Sequence, residues 1–267
     1  GYSKINYKLG TTTYTGIHVF KTDPSKQSIR PGLLTSTPKK SLSLINPNGV
    51  TASKVIAKIN GPDSDYNEYG ALYNGTFYVD GNYYKNSSSI AVSQWTADNP
   101  WWRGRPTFCV KTDGSAIIRW FSSSTALSTA AQYCDSIIAC CHPLVYASKS
   151  IFEHNVTSST ENGSKRVGNG ANLNDTTCHF NSGYLSGHTT ANDRTFLGHK
   201  PDGTFLFVCT ASNAARINLI NGAKLLEDLG CDYAVNMDGS GQVQMRVSSG
   251  YTNGATAGRM TAGSHDY

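Results

Sequence analysis

Apolar residues along this chain come in short runs broken by Gly, Asn, Ser and Asp, a period that favours strands over long helices. Ile17-His-Val-Phe20, Ser41-Leu-Ser-Leu-Ile45 and Val55-Ile-Ala-Lys-Ile59 read as strands, and the last runs into Asn60-Gly61-Pro62, a chain-reversal signal. Phe108-Cys-Val-Lys111, Asp113-Gly114 and Ala116-Ile-Ile-Arg-Trp-Phe121 have the pattern of a hairpin. In 135–154, Asp135-Ser-Ile-Ile-Ala-Cys-Cys141 and His142-Pro-Leu-Val-Tyr146 predict another buried strand followed by a turn. From about Thr157 to Asp193 the chain turns polar and loses its periodicity. A stretch that long without pattern reads as a functional loop, here expected over or beside an active site.

The final third is more regular. Thr204-Phe-Leu-Phe-Val-Cys-Thr210 is apolar on both faces, as in a strand covered on both sides. Leu219, Ala223, Leu226 and Leu229 share one face at helical spacing, with Asn218 as N-cap and Gly230 as the stop. Gly222 inside that helix costs about 1 kcal/mol relative to Ala, so a close contact is expected to favour it. Tyr233-Ala-Val-Asn-Met237 and Val243-Gln-Met-Arg-Val247 read as two strands around the turn Asp238-Gly-Ser-Gly241. Strands and helices without regular alternation predict an α+β fold. The expectation is a single domain over 1–267, a mixed or antiparallel sheet with a few packed helices.

Composition narrows the function. At 267 residues the chain can bury about three quarters of its unfolded surface, enough for one substantial core. The net charge of +5 is scattered, with only Lys39-Lys40 and Arg103-Gly-Arg105 as dense spots. That is no nucleic-acid footprint, although a mild positive field attracts anionic ligands. No run reaches the ~18 apolar residues of a membrane span. Gly1 to Leu9 does not read as a signal peptide, so either a leader has been removed or the chain is a piece of a longer one. Charged residues are only 15% of the chain, and the surplus of Asn, Ser, Thr and Gly suits an extracellular, cell-surface or virion-associated protein. Seven cysteines are an odd number. Cys109, Cys209 and Cys231 lie in apolar runs and read as small core residues.

Alternation along a strand puts Asn236 and Asp238 on one side and points Tyr233, Val235 and Met237 into the core. The glycines that follow, Gly239 and Gly241, let a ligand approach bare backbone. The same residues also fit an ordinary turn with Asp238 bonded to its own backbone. Cys140-Cys141-His142 with Cys178-His179 lacks zinc-ligand spacing, since neighbouring cysteines on a strand face opposite ways. No cofactor is required, and the oxygens of Asp238 and Asn236 are of the kind Ca²⁺ prefers. Trp95, Trp101 and Trp102 could stack on sugar rings, with core packing as their ordinary fate.

Asn192-Asp-Arg-Thr-Phe-Leu-Gly-His199, Asp202-Gly-Thr-Phe-Leu-Phe-Val208 and Leu225-Leu-Glu-Asp-Leu-Gly-Cys-Asp-Tyr-Ala-Val-Asn-Met-Asp-Gly-Ser-Gly241 together resemble the phosphodiester glycosidase family. Lys58-Ile-Asn60-Gly61 is similar to that family's Asn-Gly motif. The resemblance implies a hydrolase that removes a sugar from a glycosyl phosphodiester. In such a substrate the leaving group is already a phosphate monoester, so the paired carboxylates of ordinary glycoside hydrolysis are less necessary. It assigns Asp238, Arg194 and His199 as catalytic: a carboxylate, a guanidinium fork for phosphate oxygens and an imidazole able to donate a proton or a hydrogen bond to the departing oxygen. It makes Asn60, Asn236, Gly239 and Ser240 substrate-binding, and a carbohydrate phosphodiester the partner. The alternative is an inactive carbohydrate-binding or receptor-binding domain of a surface or phage tail protein.

Overall fold

A computed structural model describes residues 1–32, 42, 45–61, 64–65, 72–73, 77–80, 82–83, 106–120, 129–153, 156–161, 164–167, 179–181, 189–239 and 243–261. Most of the strand expected at 41–45, the tryptophans 95, 101 and 102, Cys178 and Ser240 lie outside these residues.

The scaffold is a seven-stranded antiparallel sheet. Its strands in chain order are β1 (Tyr2–Leu9), β2 (Thr12–Lys21), β3 (Pro143–Tyr146), β4 (Lys149–Ser150), β5 (Thr195–His199), β6 (Phe205–Cys209) and β7 (Tyr233–Asn236). They lie side by side as β1-β2-β6-β5-β7-β3-β4. A five-stranded antiparallel sheet joins Asn82–Tyr83, Phe77–Val79, Cys134–Ala139, Pro106–Lys111 and Ala116–Trp120, and Met245–Val247 pairs with both Ala57–Ile59 and Gly258–Arg259. Among the described residues the one α-helix longer than a turn is α1 (Leu219–Asp228). The protein is therefore mostly β, and the α+β class with several helices is overturned. The reason is physical: the apolar runs are too short for helices, and hairpin turns join most of them into antiparallel pairs.

Two further expectations change. The stretch 157–193 is not featureless, because Val156–Glu161, Ser164–Val167 and His179–Asn181 form a small three-stranded sheet. The strands flanking Asp238-Gly-Ser-Gly241 do not pair with each other, since β7 belongs to the large sheet and Met245–Val247 to another. Similarly, Cys134–Ala139 and β3 lie in different sheets, so the chain crosses between layers at Cys140–His142.

The large sheet is covered on both faces, as the doubly apolar β6 anticipated. Leu197, Phe205, Phe207, Val235 and Met237 pack with Phe108, Val110, Ile118 and Ile138 of the five-stranded sheet. On the opposite face Phe196, Leu206, Val208 and Ala234 pack against Leu219, Ala223, Leu225 and Leu226 of α1. The helix begins where Asn218 Oδ1 accepts the Asn221 N–H at 2.8 Å, an N-cap that satisfies an otherwise orphaned donor. All six described cysteines, 109, 134, 140, 141, 209 and 231, are buried free thiols.

One buried group makes stability pH-dependent. His18 on β2 is 8% exposed, its Nδ1 is 2.8 Å from the Tyr2 hydroxyl, and burial, aided by Lys4, lowers its pKa from 6.5 to about 4. The unfolded chain thus takes up a proton that the folded chain refuses. Stability from this group is complete above about pH 6.5 and declines as pH falls toward 4, by at most about 1.4 kcal/mol per pH unit. The urea midpoint is expected to drop between pH 7 and pH 5, and the drop to shrink in His18→Gln. An equal drop in both proteins would assign the effect to other groups.

Candidate functional site

The C-terminal end of β7 meets the N-terminal end of β5, and their chemistry-bearing residues gather there. β5 and β7 are antiparallel partners with Phe196 opposite Asn236, and the pairing continues outward as Met237 N–H donates to Thr195 O at 2.8 Å. Arg194 and Asp238 thus lie just beyond the sheet edge on neighbouring strands.

Asp238 is half-buried and fixed by its backbone. Its N–H donates to Gly61 O at 3.0 Å, its O accepts from Asn60 Nδ2 at 3.0 Å, and its Oδ1 accepts the Gly239 N–H at 2.7 Å. That last contact is to the backbone of the next residue; it holds one carboxylate oxygen in place.

Arg194 is only 9% exposed. Its N–H donates to Thr210 Oγ1 at 3.0 Å and its Nη2 to Thr190 O at 3.1 Å. Burial disfavours the charged guanidinium and pulls its pKa down, while the neighbouring Cys141 thiol acts the other way. Arginine nevertheless stays protonated in proteins. The guanidinium lies against Gly239: a Cβ there would be 3.7 Å from Arg194 Nη1 and 3.0 Å from Asp193 O. Only a residue without a side chain lets the Asp238 turn and the Arg194 segment approach this closely. Asp193 in turn pairs with Arg216 Nε at 3.1 Å.

Asn236 is 3% exposed. Its N–H donates to His142 O at 2.7 Å and its O accepts the Cys141 N–H at 3.0 Å. The side-chain Oδ1 is buried without a hydrogen-bond partner among the described residues. A buried acceptor left so costs about 1–3 kcal/mol, and a donor from a ligand would relieve that cost.

Asn60 occupies the centre of a knot. Its Oδ1 accepts from Thr195 Oγ1 at 2.6 Å and from the Gln244 N–H at 3.0 Å, and its Nδ2 donates to Asp238 O and to Gly61 O at 3.3 Å. Thr195 and Gln244 were not singled out from sequence as site residues. Their signal was faint, because they lie 135 and 184 residues from Asn60, and only the Arg-Thr pair of the family pattern pointed at Thr195.

His199 stands apart. It lies at the far end of β5, opposite Tyr233 rather than Asn236, about 13 Å along the strand from Thr195. Its Nδ1 meets Asp232 Oδ1 at 2.7 Å and its ring packs edge-on to Phe205 at 4.9 Å. The structure therefore brings Arg194, Asn60, Asn236, Gly239 and Asp238 together and leaves His199 out; Ser240 lies outside the described residues. Among the described residues no group of three or more His, Cys, Asp or Glu comes together to hold a metal.

A carboxylate and a buried guanidinium at the same end of two paired strands are groups able to hold an anionic ester and act on it. The model of the phosphodiester glycosidase family matches residues 53–263, and the chain belongs to that family. The match begins after the β1–β2 hairpin, which nonetheless extends the large sheet through β2 and β6. Among solved structures, the fold is similar to the zebrafish N-acetylglucosamine-1-phosphodiester alpha-N-acetylglucosaminidase catalytic domain, auto-inhibited by pro-peptide. That likeness has a TM-score of 0.61 at 16% identity, over 92% of this chain and 72% of that chain. It is also similar to a hypothetical protein from Synechocystis, with a TM-score of 0.54 at 9% identity, over 92% of this chain and 57% of that one. At such identities the likeness is one of fold. No curated protein matches the sequence.

Proposed function

We propose that the protein is a glycosidase that hydrolyses the sugar–phosphate bond of a glycosyl phosphodiester, such as a sugar-1-phosphodiester of a glycan or wall polymer, outside the cell. The reading rests on the family and on one observation: the Arg194 guanidinium packs against Gly239, the residue that follows Asp238 in the chain. The C1–O bond breaks, the phosphate monoester leaves with the bonding electrons, and water adds at C1. Arg194 stabilises the leaving phosphate; its burial strengthens that interaction by excluding water. Asp238 supports the positive charge on the sugar ring or takes the proton of the attacking water.

The test is release of free sugar from a panel of glycosyl phosphodiesters that includes N-acetylglucosamine-1-phosphodiesters. Turnover that disappears in Arg194→Ala supports the reading. Sugar-phosphate binding without turnover by the wild type overturns it in favour of a binding module. His199→Gln is expected to leave kcat and KM within about twofold while lowering the thermal midpoint, because its Asp232 hydrogen bond and ring contact lie at the far end of β5. A loss of kcat in that variant beyond about tenfold would return His199 to the mechanism.

A further inference from the structure

The structure assigns Asn60 the part of a positioning residue that locks the Asp238 turn, rather than a group that touches the sugar; this rests on the proposed glycosidase reading for its effect on turnover. A side-chain amide offers two acceptor lone pairs and two donor hydrogens. Asn60 spends all four inside the protein, on Thr195 Oγ1, Gln244 N–H, Asp238 O and Gly61 O. Its backbone N–H is also taken, by Gln244 O at 3.3 Å. The side chain has no hydrogen-bonding capacity left for a ligand.

The four bonds tie the end of the large sheet to the sheet that holds Ala57–Ile59 and Met245–Val247. Thr195 begins β5 of the large sheet, Gln244 precedes Met245–Val247, and Asp238 sits on the connection between β7 and that strand. Asn60 follows Ala57–Ile59, which pairs with Met245–Val247, so it closes the ring. The carboxylate of Asp238 is consequently positioned through its own main chain: carbonyl to Asn60 Nδ2, N–H to Gly61 O. Thr195 is completely buried and cannot reach a substrate, yet its hydroxyl orients the Asn60 amide. This separates positioning from binding, because the Thr195 hydroxyl has Asn60 Oδ1 at 2.6 Å and Cys209 Sγ at 3.7 Å as its partners, and of these only Asn60 is bonded to the Asp238 turn.

The experiment compares Asn60→Ala, Thr195→Val, the double variant and Thr195→Ser by steady-state kinetics and by amide hydrogen exchange. If Asn60 positions, Asn60→Ala and Thr195→Val each lower kcat by about tenfold or more with KM within about twofold. The double variant then falls no further than the worse single, and Thr195→Ser recovers most of the loss. A KM raised only by Asn60→Ala, with Thr195→Val silent, overturns the assignment and makes Asn60 a substrate ligand. Exchange decides independently of catalysis: in Asn60→Ala, protection at the Asp238 and Gly239 amides is expected to fall about tenfold while that of α1 is unchanged. Unchanged protection at these two amides overturns the assignment whatever the kinetics. A wild type without turnover removes the glycosidase reading and leaves the exchange result standing.

Discussion

Asp238→Asn is expected to lower kcat for a glycosyl phosphodiester by about 10³-fold, with KM changed by no more than a fewfold. The substitution keeps the shape of the turn: the Asn Oδ1 can still accept the Gly239 N–H as Asp238 Oδ1 does at 2.7 Å, and the main-chain bonds to Asn60 and Gly61 do not involve the carboxylate. What is lost is one negative charge and one basic oxygen. Removing a group that stabilises transition-state charge, or that takes a proton, typically costs 10²–10⁴ in rate. The charge on C1 exists only in the transition state, so ground-state binding is largely spared. Arg194→Ala should differ in kind. The guanidinium meets the phosphate in both ground and transition states, so KM rises as kcat falls. Rates and binding constants for the two variants, each first shown to unfold as cooperatively as the wild type, test the division. Wild-type kcat in Asp238→Asn would remove the carboxylate from the mechanism.

The legible part of this protein is local. The helix was readable to its cap, because Asn218 and the positive-φ Gly230 are signals confined to a few neighbouring residues. β6 was readable as covered on both faces because its residues are apolar at odd and even positions alike. Which strands pair was not. Nothing near Tyr233 or Met245 in sequence says that their strands join different sheets, and the fold class failed on that point together with an overcount of helices.

The site divides in the same way. Arg194 and Asp238 carried a family pattern, and antiparallel pairing of β5 with β7 brings them to one end. His199 belonged to the same pattern, though less firmly than Arg194 and Asp238. Strand geometry separates it, since five residues of extended chain carry Thr195 and His199 to opposite ends of β5. Asn60 was visible as a residue but not as a hub, because its partners are set by two sheets meeting. Those partners satisfy its side chain, whereas among the described residues Asn236 keeps a buried acceptor without one; only coordinates distinguish the two asparagines.

The contact between α1 and β5 supports a second large effect, in which one substitution reverses sign with its background. A Cβ on Gly222 would lie 2.7 Å from Phe196 Cζ and 3.2 Å from Cε2, far inside ordinary contact, and Phe196 is completely buried. Phe196→Ala is expected to cost about 3–5 kcal/mol through lost burial and the cavity left behind. In the wild type, Gly222→Ala gains about 1 kcal/mol of helix propensity but overpacks the ring by about 1–3 kcal/mol, so it is neutral to destabilising. With the ring removed, the clash goes and the propensity gain stays, so the same change on Phe196→Ala should stabilise by about 1 kcal/mol or more. Urea unfolding of the four proteins closes the double-mutant cycle. A Gly222→Ala effect of the same sign and size in both backgrounds would show that the ring does not hold that glycine in place. Because Phe196 stands opposite Asn236 and next to Thr195, the Phe196→Ala protein should also turn over more slowly, linking the helix contact to the end of the sheet where the site lies.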